Sequence, residues 1–253
     1  MSSAKTRPET SRWKRIIGRF LDLIYPCACR LCGSELHGGR YLCDDCWVDL
    51  PRLSAPFCAT CGEMFDGEID AEFDCPNCRD TEFAFEFARP AMAHDPQTRE
   101  LIHDLKYHRG THMARDLARL AVSAFDDPRL QTALAEAWPL VPVPLHWQRL
   151  RSRHFNQAEE IARALSRLTG QTVVRALKRT RSTATQTRLS RHQRQKNLHG
   201  AFAVTRRAKS LTQAPGVVLI DDVFTTGSTV HECARVLRKA GLQKVVVVTV
   251  MRG

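Results

Sequence analysis

The 253-residue sequence has no apolar run long enough to cross a bilayer. It begins M-S-S-A-K-T-R-P-E-T, a polar start that no apolar stretch of secretory-signal type follows. The expectation is a cytoplasmic protein without a transmembrane segment. Without an export signal, a disulfide framework is also disfavoured, because such frameworks belong to oxidising compartments. Acidic residues are scarce in one region. From His146 to Ser210, sixteen Lys/Arg face two carboxylates, Glu159 and Glu160. That surplus exceeds the net charge of +11 carried by the whole chain, so the remainder is close to neutral. A localised basic segment suits a polyanion, either nucleic acid or a ligand with several phosphates; otherwise it is a solvated face. Aromatics are sparse there as well, with Trp147, Phe155 and Phe202 alone. Single-stranded DNA bound there would be held by backbone electrostatics more than by base stacking.

Cysteine, by contrast, is plentiful and ordered. Nine of ten lie between Cys27 and Cys78, and they include four C-x-x-C pairs. Each such turn lets two thiolates converge on one metal, and two turns complete a tetrahedron. The spacing predicts two zinc sites in sequence order: Cys29, Cys32, Cys43 and Cys46, then Cys58, Cys61, Cys75 and Cys78. Gly33 and Gly62 follow the second cysteine of a pair, where a knuckle accommodates a positive φ. Cys27 is an extra sulfur beside the first site, and Cys233 reads as a small core residue. Zinc with four thiolates has no open position, so these sites are structural and the small module around them folds on its metal.

Three domains are expected. Residues 1–26 form a polar tail and an amphipathic helix, in which Trp13, Ile16, Ile17, Phe20 and Ile24 share a face. It is suited to packing on the protein or to peripheral membrane contact. Residues 27–82 form the double zinc ribbon, and 83–253 a larger α/β domain. In the latter, Phe83–Met92 reads as a strand, and Asp95 and Pro96 open a helix to about Tyr107 that Gly110 closes. A second helix is expected from about Met113 to Phe125. Pro139–Pro144 is extended but too proline-rich for a central strand. Asn156 can cap a helix with Ala158, Ile161, Ala162, Leu165 and Leu168 on one face and Gly170 at its end. Thr172–Leu177 reads as a strand, and Arg179–Gly200 as a long polar loop with about one turn of helix. Val217–Ile220, Ser228–Ala240 and Lys244–Val250 make a βαβ unit. The fold class is therefore α/β with a mainly parallel sheet flanked by helices.

The stretch V-V-L-I-D-D-V-F-T-T-G-S-T, Val217–Thr229, carries the chemistry. In parallel sheets ligands sit beyond the carboxyl ends of the strands, where Asp221 and Asp222 are expected. Thr225, Thr226, Gly227, Ser228 and Thr229 then lead into a helix N-terminus, whose free N–H groups and dipole favour an anion. No Lys follows Gly227, so this is not a P-loop. The carboxylates repel phosphate and are suited to sugar hydroxyls. The pattern describes a ribose 5-phosphate.

This stretch resembles the phosphoribosyl-pyrophosphate signature of type I phosphoribosyltransferases. P-V-P-L-H-W-Q-R-L-R-S-R-H-F-N-Q-A-E, Q-T-R-L-S-R-H-Q-R-Q-K-N-L-H-G-A-F and the cysteine module in front resemble the ComF family, the competence protein F-like proteins. The resemblance covers the chain from about Leu21 onward. It implies that Asp221 and Asp222 bind the ribose hydroxyls, directly or through Mg²⁺, and that Thr225–Thr229 bind the 5-phosphate. Pro142–Gln157 would include the pyrophosphate loop, with Arg149, Arg151 and Arg153 as candidate cations. Arg179–Gly200 would close over the substrate, with Gln186, Arg194 and Asn197 on matching positions, and Lys106 matches in L-K-Y. Where the family reads R-G-F-N-Q, this chain has His154 for the glycine, which a positive φ would strain.

The resemblance further implies a role in uptake or use of external DNA. Two readings follow. As a phosphoribosyltransferase, the protein releases pyrophosphate from the donor as an acceptor nitrogen attacks the anomeric carbon, although no nucleobase pocket is evident. As a non-catalytic module, it binds phosphoribosyl pyrophosphate and acts on single-stranded DNA or a helicase-like competence protein.

Overall fold

The computed structural model describes residues 27–37, 40–69, 72–107, 111–182 and 191–253. The expected helix at Trp13–Tyr25, Gly110 and Gln186 lie outside the described residues, as does the side chain of Arg194. The chain forms two compact units, Met1–Asp49 and Leu50–Gly253.

The described part of the smaller unit is built on a short antiparallel pair, β1 (Cys27–Ala28) and β2 (Glu35–Leu36), and a helix, α1 (Asp44–Asp49). Gly33 adopts φ 77° and donates its N–H to Cys29 O at 2.8 Å, which closes the knuckle. Cys27 pairs with Leu36 in β1.

The larger unit begins with the second knuckle, where Gly62 at φ 69° repeats that bond to Cys58 O at 2.9 Å. After α2 (Pro76–Arg79) come β3 (Ala88–Met92), α3 (Pro96–Tyr107), α4 (Met113–Val122), α5 (Pro128–Ala135), β4 (Leu140–Pro142), α6 (Trp147–Arg153), α7 (Gln157–Thr169), β5 (Leu177–Arg179), α8 (Arg191–Leu198), β6 (Phe202–Val204), β7 (Val217–Phe224), α9 (Ser228–Lys239) and β8 (Val245–Arg252). Four strands form a parallel sheet in the order β3-β8-β7-β4. The apolar runs of β7 and β8 occupy its centre, as strands covered on both faces should; Val217–Ile220 and Val245–Val248 are all buried. The proline-bearing strands β3 and β4 take the outer places, where a missing N–H is tolerated. The outer side of β3 is covered by residues 51–60, through Leu53 N–H to Ala91 O (2.9 Å) and Ala88 N–H to Thr60 O (2.8 Å). The second knuckle is thereby part of the sheet unit.

Several helices follow the expected signals. Thr98 N–H donates to Asp95 Oδ2 at 2.9 Å at the start of α3. Gly170, at φ 77°, caps α7. Cys233 is fully buried in the core. Other expectations are corrected. Asn156 stands at the N-cap of α7 without a side-chain cap bond; its Nδ2 donates to Val143 O at 2.9 Å instead. Leu168, expected on the buried face, is 52% exposed. The strand expected at Thr172–Leu177 reduces to a bridge from Val173 to Leu140, followed by β5 paired antiparallel with β6. The polar segment after Arg179 holds α8, a helix of eight residues, where about one turn was expected.

Candidate functional site

Each cysteine cluster brings four sulfurs within 4.8 Å of one another, and the two sets are those expected from the spacing. Cys27 belongs to neither. The Sγ atoms of Cys32 and Cys43, and of Cys61 and Cys75, are 3.7 Å apart. A tetrahedron with Zn–S arms of about 2.3 Å has edges of about 3.8 Å, so the donors fit a zinc ion, whereas a disulfide would need about 2 Å. Backbone N–H groups turn toward the sulfurs in both clusters, from Cys43 to Cys29 Sγ (3.4 Å) and from Cys75 to Cys58 Sγ (3.3 Å). Without a cation, crowded thiols cannot all ionise. Hydrogen bonds from Cys61 and Cys78 pull Cys58 far down, and the bond to Cys58 pushes Cys61 up to about 12 and Cys78 well above the usual thiol range.

The second site is a cavity of ≈ 520 Å³ above β4 and β7. Strand β7 runs on through both aspartates, with Asp221 level with Thr249 of β8, so the pair lies inside the strand and not beyond its end. Successive strand residues face opposite ways, but the partial exposure of Asp221, Asp222 and Val223 opens this stretch to the cavity. Asp222 forms an ion pair with Lys106 Nζ at 2.8 Å. This contact gives Lys106 a place that the L-K-Y match alone left open. Burial pushes the Asp221 carboxyl up to about 8, and the neighbouring Asp222 charge adds to the rise. Asp222 N–H donates to Asp221 Oδ1 at 2.9 Å.

Beyond β7 the chain turns into α9. Gly227 occupies the N-cap at φ 75°, and a Cβ there would lie 2.7 Å from Phe224 Cζ. The glycine is thus required by the turn and by the packing beneath it. Thr226 Oγ1 and Ser228 Oγ share a hydrogen bond of 2.9 Å, while Thr225 and Thr229 line the cavity.

The opposite wall comes from α6 and the residues that follow it. Arg149 and Arg153 line the cavity; Arg153 stacks on Tyr107, 5.1 Å from the ring centroid. Arg151 does not line it and lies instead 5.5 Å from the Trp147 ring centroid. Asn197 is also outside the lining; its carbonyl accepts from Arg181 Nη2 at 2.9 Å. His154 caps α6 in the left-handed region, φ 67°, and donates its N–H to Leu150 O at 2.7 Å. The backbone therefore adopts the turn for which the family uses glycine. Sequence reasoning missed Arg179 as a lining residue. Burial, then the Arg149 charge, lowers its pKa, so the wall concentrates positive charge at some cost. It also missed Gln157, which is 2% exposed and whose Nε2 has no hydrogen-bond partner among the described residues. The N-Q dipeptide after a basic helix was the available signal. Both acids of the basic segment are taken internally, Glu159 by Arg163 and Arg175, and Glu160 by Arg163 at 3.0 Å.

Among the described residues no helix is long and apolar enough to cross a membrane. Residues 20–81 match the double zinc ribbon domain, and residues 155–253 match the phosphoribosyl transferase domain. The DNA utilization protein YhgH of Escherichia coli K12 is 34% identical over 87% of this chain and 94% of its own. The competence protein F of Haemophilus influenzae is 32% identical over 86% of this chain and 93% of its own. The competence protein ComFC of Bacillus subtilis is 24% identical over 86% and 91%. The parallel sheet, the paired four-cysteine sites and these relatives converge, and the chain belongs to the ComF family of competence protein F-like proteins.

Proposed function

We propose that the protein binds phosphoribosyl pyrophosphate with Mg²⁺ and acts as a phosphoribosyltransferase-like factor in the uptake or use of external DNA. The observation that carries this reading is one cavity with a carboxylate pair on its floor, a hydroxyl-rich helix start on one side and Arg149, Arg153 and Arg179 on the other. The aspartates suit the ribose hydroxyls, Thr225–Thr229 the 5-phosphate, and the arginines the pyrophosphate. Mg²⁺ accompanies the pyrophosphate and would neutralise part of its charge beside Asp221 and Asp222. Lys106 holds Asp222 and limits repulsion between the two acids.

In a transfer reaction, pyrophosphate leaves the anomeric carbon as an acceptor nitrogen attacks the opposite face. The arginines stabilise the departing anion, and the carboxylates offset the positive charge that develops on the ribose. The role in DNA use is supported by the names of the relatives, a DNA utilization protein and competence proteins. The cytoplasm is the compartment we assign, since phosphoribosyl pyrophosphate and free thiolates both belong there.

A second reading, a binding module without turnover, is favoured by the adjoining pocket of ≈ 460 Å³ with Trp147 on its rim, 55% exposed. Such a ring can stack on an unpaired base of single-stranded DNA. The test is thermal protection by phosphoribosyl pyrophosphate with Mg²⁺, compared with ribose 5-phosphate and with pyrophosphate. The full donor should protect most, and absence of protection by all three would contradict the proposal. A screen of bases and amines for pyrophosphate release then separates transferase from module.

A further inference from the structure

Arg252, the last residue of β8, is 8% exposed and touches both the second cysteine cluster and the hydroxyl-rich loop. Its Nη1 donates to Phe224 O at 3.0 Å and to Thr225 O at 2.8 Å, and also reaches Gly253 O. Its Nη2 lies 3.9 Å from Cys61 Sγ and pairs with the half-exposed Glu63 carboxylate. A small cavity of ≈ 120 Å³ separates the two sites and is lined by Cys61, Cys78, Phe224, Thr225, Thr226 and Arg252.

Two physical consequences follow. A trans peptide points its C=O and the next N–H in opposite directions. A guanidinium that holds the carbonyls of Phe224 and Thr225 on one side therefore turns the N–H groups of Thr225 and Thr226 to the other. The second consequence concerns charge. A buried guanidinium needs a counter-charge, and the half-exposed Glu63 carboxylate supplies only part of it. Four thiolates around one divalent cation make a net negative centre, which supplies that charge beside Nη2.

We propose that Arg252 is a positioning residue that couples metal at the second four-cysteine cluster to the order of the Phe224–Thr229 loop. With the cluster loaded, Arg252 is held between sulfur and carbonyls, and the loop keeps the peptide orientation that presents its donors. With the cluster empty, the Cys61 sulfur beside Nη2 is no longer fixed by a metal, the guanidinium loses that support, and the loop loosens. The effect on affinity rests on the reading of this loop as a 5-phosphate cradle; the effect on loop order does not.

The experiment uses the full chain with both zinc ions and follows amide exchange. His231 N–H, bonded to Gly227 O at 2.8 Å, and Gly253 N–H, bonded to Phe224 O at 2.7 Å, report on the loop. Val247 N–H, bonded to Phe87 O at 3.0 Å, reports on the sheet. Arg252→Gln should speed exchange at His231 and Gly253 about tenfold, the loss expected for a charged donor to carbonyl oxygen, while Val247 stays protected. Arg252→Lys should restore part of the protection. Removal of the second zinc by chelator should speed His231 and Gly253 by more than it speeds Val247 in the wild type, and that excess should be absent in Arg252→Gln.

Unchanged exchange in Arg252→Gln, or an equal excess of the loop over Val247 on zinc removal in both proteins, overturns the proposal. If Arg252→Gln also exposes Val247, Glu63→Gln takes its place. It should produce a smaller acceleration confined to the loop and make that loop more sensitive to zinc; no change in either would again overturn the coupling. Calorimetry with phosphoribosyl pyrophosphate and Mg²⁺ on the wild type runs alongside. Failure to bind removes the donor reading and leaves the exchange result to decide the coupling.

Discussion

Cys32 of the first cluster is exposed and Cys43 and Cys46 are half-buried, whereas all four cysteines of the second are buried. Both clusters use the same knuckle, with a glycine at positive φ after the second cysteine and an N–H bond back to the first. What differs is the surroundings. The first is enclosed by a two-stranded ribbon and a helix of six residues. The second shares one hydrophobic core with Phe85, Phe224, Val230 and Leu237. Beside its knuckle, Arg129 Nη1 donates to Ala59 O at 2.8 Å and forms a bidentate pair with Asp127. Identical ligand chemistry thus serves a self-contained module in one place and a wall of the α/β core in the other.

The largest expected effect breaks this comparison at its centre. Cys58→Ser should lower zinc by one ion per chain and destabilise the larger unit by about 5 kcal/mol or more, because a structural zinc carries folding energy and a core wall goes with it. Cys32→Ser should lower zinc by the same amount and leave the melting of the larger unit unchanged. Metal analysis with calorimetric melting checks both; equal destabilisation by the two variants would refute the distinction.

Asp221→Asn sharpens the comparison through pH. The folded pKa of about 8 lies above the unfolded value of about 4. The contribution of this carboxyl is then fully present below about pH 4 and is lost as pH rises to about 8. Asp221→Asn should therefore gain stability over that window, on the order of 5 kcal/mol by pH 8, and flatten the pH slope. Urea midpoints across the window read this out. Cys32→Ser should leave the slope as it is.

Gly227→Ala comes next. It puts a methyl 2.7 Å from Phe224 Cζ at a backbone φ of 75°. The cost should be about 2–3 kcal/mol in urea unfolding of the larger unit. Zinc at the first cluster should be retained.

His154→Gly is the smallest. Relief of the left-handed cap should stabilise the larger unit by about 1 kcal/mol at most, since glycine also loses more chain entropy on folding. Its readout is the same urea midpoint.

Much of this architecture was legible in local pattern. C-x-x-C spacing marked both clusters, because metal ligation is a short-range constraint. The apolar runs of β7 and β8 on either side of α9 marked the central βαβ unit. Local pattern failed where a distant group overrides it. Asn156 looked like a cap, but the Val143 carbonyl captures its amide. Asp221 and Asp222 looked like the end of a strand, but pairing with β8 carries β7 on to Phe224. Lys106 matched a motif without a stated partner, and only the fold brings it to Asp222. Arg252 carried no signal at all, because its partners Cys61, Glu63 and Phe224 come from distant segments. Arg151 looked equivalent to Arg149 and Arg153, but helical spacing turns it toward Trp147.

The central claim is that the cavity above β7 holds phosphoribosyl pyrophosphate through the aspartate pair. Calorimetric titration with phosphoribosyl pyrophosphate and Mg²⁺ tests it on the wild type and on Asp221→Ala/Asp222→Ala. The account predicts saturable binding by the wild type and a loss of at least about tenfold in the double variant, since each lost bond to a charged group is worth about 1.5–3 kcal/mol. Equal affinity in the two proteins would contradict it.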